Sequence, residues 1–319
     1  MTVDRATHTK INRLESFRLL ALAELIGISC LLSILGCGGS NNAETAVQLK
    51  FRPMVGEQEA ACGTAYSQMG TGSSAVELAD ARLFISSIAL RHKSDSTWHM
   101  VNLDASIWQS GGIGGVVLLD FEDGTGACAD SGTNETNRVI TATVTLTEVD
   151  PVFDGIRFNV GIPFVENHVD AALTPAPFNV PGMYWTWQGG FKFVRVDWQV
   201  ADLSGNNTTP SRWNVHVGST GCESAAPTTA PSTACTRSNM ARVELTDFDT
   251  TIDEVNIDLA QLIVGANLDG NTPDSPPGCM SNPGEPNDCT AVFDSLGLDF
   301  MTGACIDDCS NQTIFSLVP

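Results

Sequence analysis

Short runs in which apolar and polar residues alternate recur along most of the chain. They fall at residues 46–53 (AVQLKFRP), 76–92 (VELADARLFISSIALRH), 98–103, 116–121, 138–147, 155–162, 191–200, 212–219 and 241–248. A period of two places alternate side chains on opposite faces of a strand, and the Gly, Pro, Asn and Asp clusters between the runs supply turns. Arg82 to Ile85 suits a strand better than a helix, because aromatic and β-branched residues collect there. Helical patterns are few: residues 109–115 are too rich in glycine, and 255–264 (VNIDLAQLIV) is the best short candidate. The pattern predicts an all-β fold, an antiparallel β-sandwich forming one domain.

Two segments depart from it. From residue 265 the chain turns to Pro, Gly, Asn and Asp (GANLDGNTPDSPPGCMSNPGEPNDC), a composition that favours turns and calls for disulfide staples. Asn267, Asp269, Asn271 and Asp274 suggest calcium, but the glycine follows Asp269 too early for an EF-hand loop, so a solvated turn is expected. At the other end a polar stretch carrying Arg5, Lys10, Arg13 and Arg18 precedes the apolar run LIGISCLLSILG. That run is long enough for a signal-peptide core and shorter than the roughly 20 residues that span a bilayer. It ends in Ile34-Leu35-Gly36-Cys37, which resembles a bacterial lipobox with lipid attached at Cys37; ordinary secretion is the alternative. The expected organisation is a signal peptide (1–36), a flexible tether (37–45) and the sandwich (46–319), whose Cys-rich last part is 265–319. The expected location is the periplasm or cell surface, with a lipid anchor in the outer membrane as the only membrane contact.

Export determines how the cysteines are read. Apart from Cys30 and Cys37, eight remain: Cys62, Cys128, Cys222, Cys235, Cys279, Cys289, Cys305 and Cys309. An even number in an oxidising compartment points to disulfides rather than thiolate metal ligands. Proximity in sequence favours 222 with 235, 279 with 289 and 305 with 309, leaving 62 for 128. Charge narrows the partners further. Sixteen Lys and Arg stand against 37 Asp and Glu, a formal net charge of −21 that repels nucleic acid and anionic lipid.

Candidate chemistry concentrates between residues 161 and 222, where His168, His216, Trp185, Trp187, Trp198 and Trp213 lie. Imidazole is the commonest protein ligand for borderline transition metals. Trp185 and Trp187 would share one face of a strand. His99 is a reserve ligand, His92 between Arg91 and Lys93 reads as surface, and Trp198 and Trp213 read as core. Asp120, Glu122 and Asp123 are explained by a turn after an apolar strand. The chain has no GxSxG, P-loop or HExxH motif, so hydrolytic and nucleotide chemistry has no anchor and a non-enzymatic role is expected.

An ordered series of segments carries a family resemblance. It runs from Cys-Gly-Thr-Ala-Tyr at 62–66 through DARLFI at 80–85, VVLLDFEDGTGAC ending at Cys128, and GIRFNVGIPFVENHVD, to MYWTWQGGFKFVRVD, VHVGSTGC and PGCMSNPGEPNDC. The chain resembles the MbnP-like proteins, also called metallo-mystery pair four-Cys motif proteins, over nearly all of its length beyond the leader. The resemblance implies an exported β-sandwich paired with a diheme, cytochrome c peroxidase-like protein. It further implies copper held by two histidines and a kynurenine made from tryptophan. On the matching segments His168 and His216 are the implied imidazole ligands, with Trp185 or Trp187 as the modified residue. A role in copper acquisition or sequestration follows, against the alternative of a metal-free adhesion or carbohydrate-binding module.

Overall fold

The computed structural model describes residues 43–130, 134–147, 150–186, 188–201 and 212–318. Cys37, the expected signal peptide and Trp187 lie outside the described residues.

The strands are, in chain order, β1 (Ala43–Val55), β2 (Gln58–Glu59), β3 (Ala65–Met69), β4 (Ser74–His92), β5 (Trp98–Met100) and β6 (Asn102–Leu103). There follow β7 (Gly112–Ile113), β8 (Val116–Asp120), β9 (Val139–Leu146), β10 (Phe153–Val160), β11 (Tyr184–Thr186) and β12 (Gly190–Phe191). The last six are β13 (Val194–Val200), β14 (Arg212–Val217), β15 (Ala241–Thr246), β16 (Glu254–Asp258), β17 (Gly278–Cys279) and β18 (Phe315–Val318). Two α-helices occur among the described residues, α1 (Phe164–Asn167) and α2 (Pro286–Ser295).

Two main sheets result. One has the order β18-β16-β1-β9-β6-β7, with β2 also on β1; the other runs β15-β10-β4-β13-β14-β17, with β3, β5 and β8 also on β4. Most pairs are antiparallel; β1 with β16 and β14 with β17 are parallel. The inward-facing residues of both sheets form one core that includes Leu49, Phe51, Ile140, Val255, Leu83, Phe158, Trp198 and Trp213. Phe51 of the first sheet meets Phe158 of the second edge-on, with centroids 5.8 Å apart. This is an all-β, sandwich-like fold, and Trp198 and Trp213 are fully buried in it.

Four disulfides join Cys62 to Cys128, Cys222 to Cys235, Cys279 to Cys289 and Cys305 to Cys309. These are the pairs that sequence proximity favours.

Three expectations need correction. Residues 255–264 are not a helix: Val255–Asp258 completes β16, and only Leu259–Leu262 turns, as a 3₁₀ segment capped by the Asp258 side chain. Parallel pairing with β1 and antiparallel pairing with β18 override the local apolar spacing. The Pro-rich part does hold regular structure, since Pro286 opens the ten-residue helix α2. Proline at a first helical position loses no hydrogen bond and arrives with a helical φ. Finally, β1 starts at Ala43, inside the stretch expected as tether, because Ala43 to Lys50 pair with β9.

The segment between β10 and β13 positions the candidate site. It leaves the nine-stranded sheet at Gly161, crosses its outer face, and returns at Phe193. Phe178, Met183, Phe191 and Phe193 from this crossing pack with Phe84, Val116 and Leu118 of the sheet into a second, smaller apolar cluster.

Candidate metal centre

β14 shows how one strand serves two purposes. Trp213, Val215 and Val217 point into the core, whereas Arg212, Asn214 and His216 point outward. On the neighbouring β13, Val194, Val196 and Trp198 point inward, and Arg195 and Asp197 outward. His216 is the register partner of Arg195, and its Nε2 lies 2.7 Å from Oδ1 of Asp197.

Asp197 is part of a buried row of charges. Arg195 binds Asp197 through Nε at 2.9 Å, and also reaches Asp80 at 3.2 Å. Asp80 in turn receives both Nε and Nη2 of Arg82. Two carboxylates and two guanidiniums so placed compensate one another in a site that water hardly reaches. Burial pushes the Asp197 carboxyl up, but the His216 N–H and the Arg195 guanidinium outweigh it, and the group stays below the usual carboxylate range. Burial pushes His216 down, and Asp197 only partly offsets this. The imidazole is therefore neutral near pH 7, with Nε2–H donating to Asp197. Its Nδ1, which has no hydrogen-bond partner among the described residues, keeps the lone pair that a metal requires. A carboxylate that fixes the tautomer of a ligand histidine in this way is a recurrent feature of metal sites.

Lys192 borders the row, its Nζ donating to the Gly182 carbonyl at 2.7 Å. Burial and the nearby Arg195 charge lower its pKa to about 8.

His168 ends the single turn of α1 and is 7% exposed. The preceding residue holds it in place. Asn167 Oδ1 accepts the Phe191 N–H at 2.9 Å, and its side-chain amide lies 3.4 Å from Ser219 Oγ. The His168 ring packs against Phe164, and its Nε2 lies 3.4 Å from Sγ of Cys235. His168, Cys222 and Cys235 have potential ligand atoms within 4.8 Å of one another. The two sulfurs are joined in a disulfide, so that group holds no thiolate, and the Asn167 side-chain amide lies 3.3 Å from Nε2 of His168.

Trp185, on β11, lies over Gly218. A Cβ built on Gly218 would come within 2.6 Å of the indole, so only glycine fits beneath the ring. Trp185 also lines a cleft of about 440 Å³ with Gly189, Ser219, Cys222 and Met280. The end of β14 thus gathers three of the residues singled out by sequence. His216 lies on the strand, Trp185 covers Gly218, and Asn167, next to His168, reaches Ser219. His216 and His168 do not share a cluster of three or more His, Cys, Asp or Glu ligand atoms among the described residues.

His99, the reserve ligand, lies elsewhere. It is on β5 opposite Leu90, beside His92 and Asp95. His92 is not a surface residue: it is 5% exposed, packed against Phe153. Its charged neighbours in sequence mislead: Arg91 alternates to the other face of β4, where it pairs with Asp154, and Lys93 lies beyond the strand end. Asp120 and Glu122, expected in a turn, are also buried, and burial lifts the Asp120 pKa to about 8 despite the Arg82 charge. Sequence reasoning missed Asp197 and the row behind it. The signal was available in DARLF and VRVDW, where Asp80 and Arg82, and Arg195 and Asp197, alternate with apolar residues.

The family model described as MbnP matches residues 44–281. Among solved structures the chain is similar to MbnP from Methylosinus trichosporium. The identity is 27% and the TM-score 0.70, over 86% of this chain and 98% of that one. No curated protein sequence matches.

Proposed function

The chain belongs to the MbnP family, and from that premise we propose that it is an exported copper-binding protein that acquires or sequesters the metal. The reading rests above all on His216: a neutral imidazole oriented by Asp197, with Nδ1 available, at the strand end where Trp185 and the His168 turn converge. The donor set fits copper. His216 and His168 supply imidazole nitrogen, which suits Cu(I) as well as Cu(II), and no thiolate competes beside His168 because Cys222 and Cys235 are joined in a disulfide. Bound copper would supply soft, low-coordinate affinity for nitrogen ligands.

The chain's own residues do the rest. Asp197 holds His216 in one tautomer, and Arg195 keeps Asp197 ionised. Asn167 fixes the His168 turn against β12 and the end of β14. The role is binding, without substrate turnover.

The third ligand is a kynurenine formed from Trp185 or Trp187 by a diheme, peroxidase-like partner. In that conversion the indole loses four electrons and four protons to the partner while two waters add oxygen; a third water releases formate and frees the aryl amine. Lipid attachment at Cys37 would hold the protein at the outer membrane, on the periplasmic side or at the cell surface.

Protein from the native host tests this by copper quantification with peptide mass spectrometry. The expected result is one copper and a gain of about 4 Da on the peptide holding Trp185 and Trp187. His168→Ala and His216→Ala should each release the metal. Unmodified tryptophan with no bound copper, in a host expressing the diheme partner, would sink the reading in favour of a metal-free binding module.

A further inference from the structure

A second group of metal-ligating side chains lies on the hairpin that joins β4 to β5, outside the site just described. Its members are His92, Asp95 and His99, with ligand atoms within 4.8 Å of one another. We propose that this hairpin is a separate site for a borderline divalent cation of the zinc or copper(II) class, held by two imidazoles and one carboxylate.

The backbone sets the spacing without a metal. His92 N–H donates to the Thr97 carbonyl at 2.8 Å, and Ser96 N–H to the His92 carbonyl at 2.8 Å. Ser96 adopts a positive φ of 59° to close the turn. His99 pairs with Leu90, so it shares the face of Leu90 and therefore of His92, two residues further on. The imidazoles meet edge to face with centroids 6.0 Å apart. Asp95 Oδ1 lies 3.2 Å from Nδ1 of His92 and 2.7 Å from Oγ1 of Thr97, and that hydroxyl lies 2.7 Å from Nε2 of His99. Asp95 and Thr97 thus bridge the two rings.

A cation would enter that bridge and displace the hydroxyl from His99. With metal–ligand bonds of about 2.1 Å, tetrahedral neighbours lie about 3.4 Å apart. The His92–Asp95 distance already meets this, and rotation of the partly exposed His99 supplies the rest. The Asp95 side chain is 53% exposed, so water can fill the fourth position and the ion can exchange. The carboxylate separates this site from the nitrogen-only donor set around His216: an oxygen anion favours a divalent ion over Cu(I). The two are also distant along β4. His92 is ten residues from Arg82, which is paired with Arg195 and through it with His216, about 30 Å along a strand.

Equilibrium dialysis of the full chain against Zn²⁺, with zinc counted by mass spectrometry, decides the matter; Co²⁺ substitution gives a spectroscopic check. One zinc per chain is expected, together with a tetrahedral Co²⁺ spectrum. His99→Ala and, independently, Asp95→Ala should abolish zinc binding at the concentration that saturates the wild type, with unchanged circular dichroism. His168→Ala and His216→Ala should retain it, so failure here and failure of the copper reading are distinguishable. No zinc on the wild type, or zinc retained by folded Asp95→Ala and His99→Ala, would overturn the proposal.

Discussion

The two faces that β13 and β14 present in the nine-stranded sheet are made by the same strands and obey opposite rules. Inward, β13 and β14 present Val194, Val196, Trp198, Trp213, Val215 and Val217 to a continuous apolar core. Outward, at the intervening positions, they present Arg195, Asp197, Asn214 and His216. The inner face tolerates exchange of one apolar shape for another, since burial is nondirectional. The outer face depends on particular partners, because each buried charge there is compensated by another. Stability is thus expected to be concentrated on one face and ligand chemistry on the other.

Substitutions on each face test that division. The largest expected effect is on the inner face: Trp198→Ala or Trp213→Ala should cost about 3–5 kcal/mol in denaturant unfolding, with metal still bound by whatever fraction folds. Asp80→Ala should cost about 3 kcal/mol by leaving Arg82 and Arg195 partly uncompensated, while a simultaneous Arg82→Met should recover much of that loss in the same assay. Asp197→Asn should lower stability less than Asp80→Ala does, because Arg195 keeps Asp80, and should weaken copper binding about 10–100-fold in competition titrations, through the tautomer of His216.

The smallest effect is on pH dependence. The folded-state pKa of Asp120 is raised to about 8. Its contribution to stability is therefore fully present below the ordinary carboxylate pKa and is lost as pH rises through about 8. Wild-type stability should fall by about 1 kcal/mol or more between about pH 5 and about pH 9, and Asp120→Asn should flatten that slope.

The inner face was legible in the sequence and the outer face only in fragments. Alternation marked most of the long strands, because the core imposes a period of two on every strand that touches it. Proximity also matched the disulfide pairs, since three of the four bridges close loops of 13 residues or fewer. The failures are places where distant chain supplies the reason. Val255 to Asp258 extends because β1 lies alongside, two hundred residues earlier. His92 is buried because β10 brings Phe153 to it, and His99 is beside His92 rather than His168 because a hairpin turns there. The pairing of Asp197 with His216 depends on the register between β13 and β14, which a list of candidate ligands does not contain.

The same long-range pairing has a kinetic consequence. β4 takes partners from β3, β5, β8, β10 and β13, and β1 pairs Phe51 with Val255. Closing such large loops costs entropy before any contact repays it, so folding is expected to be slow, and the first strand has no complete seat until residue 258 has been synthesised. Until β13, β15 and β16 emerge, β4, β10 and β1 each lack a partner strand, which makes the order of emergence, and whatever shields those edges, as important to yield as the stability of the finished sandwich.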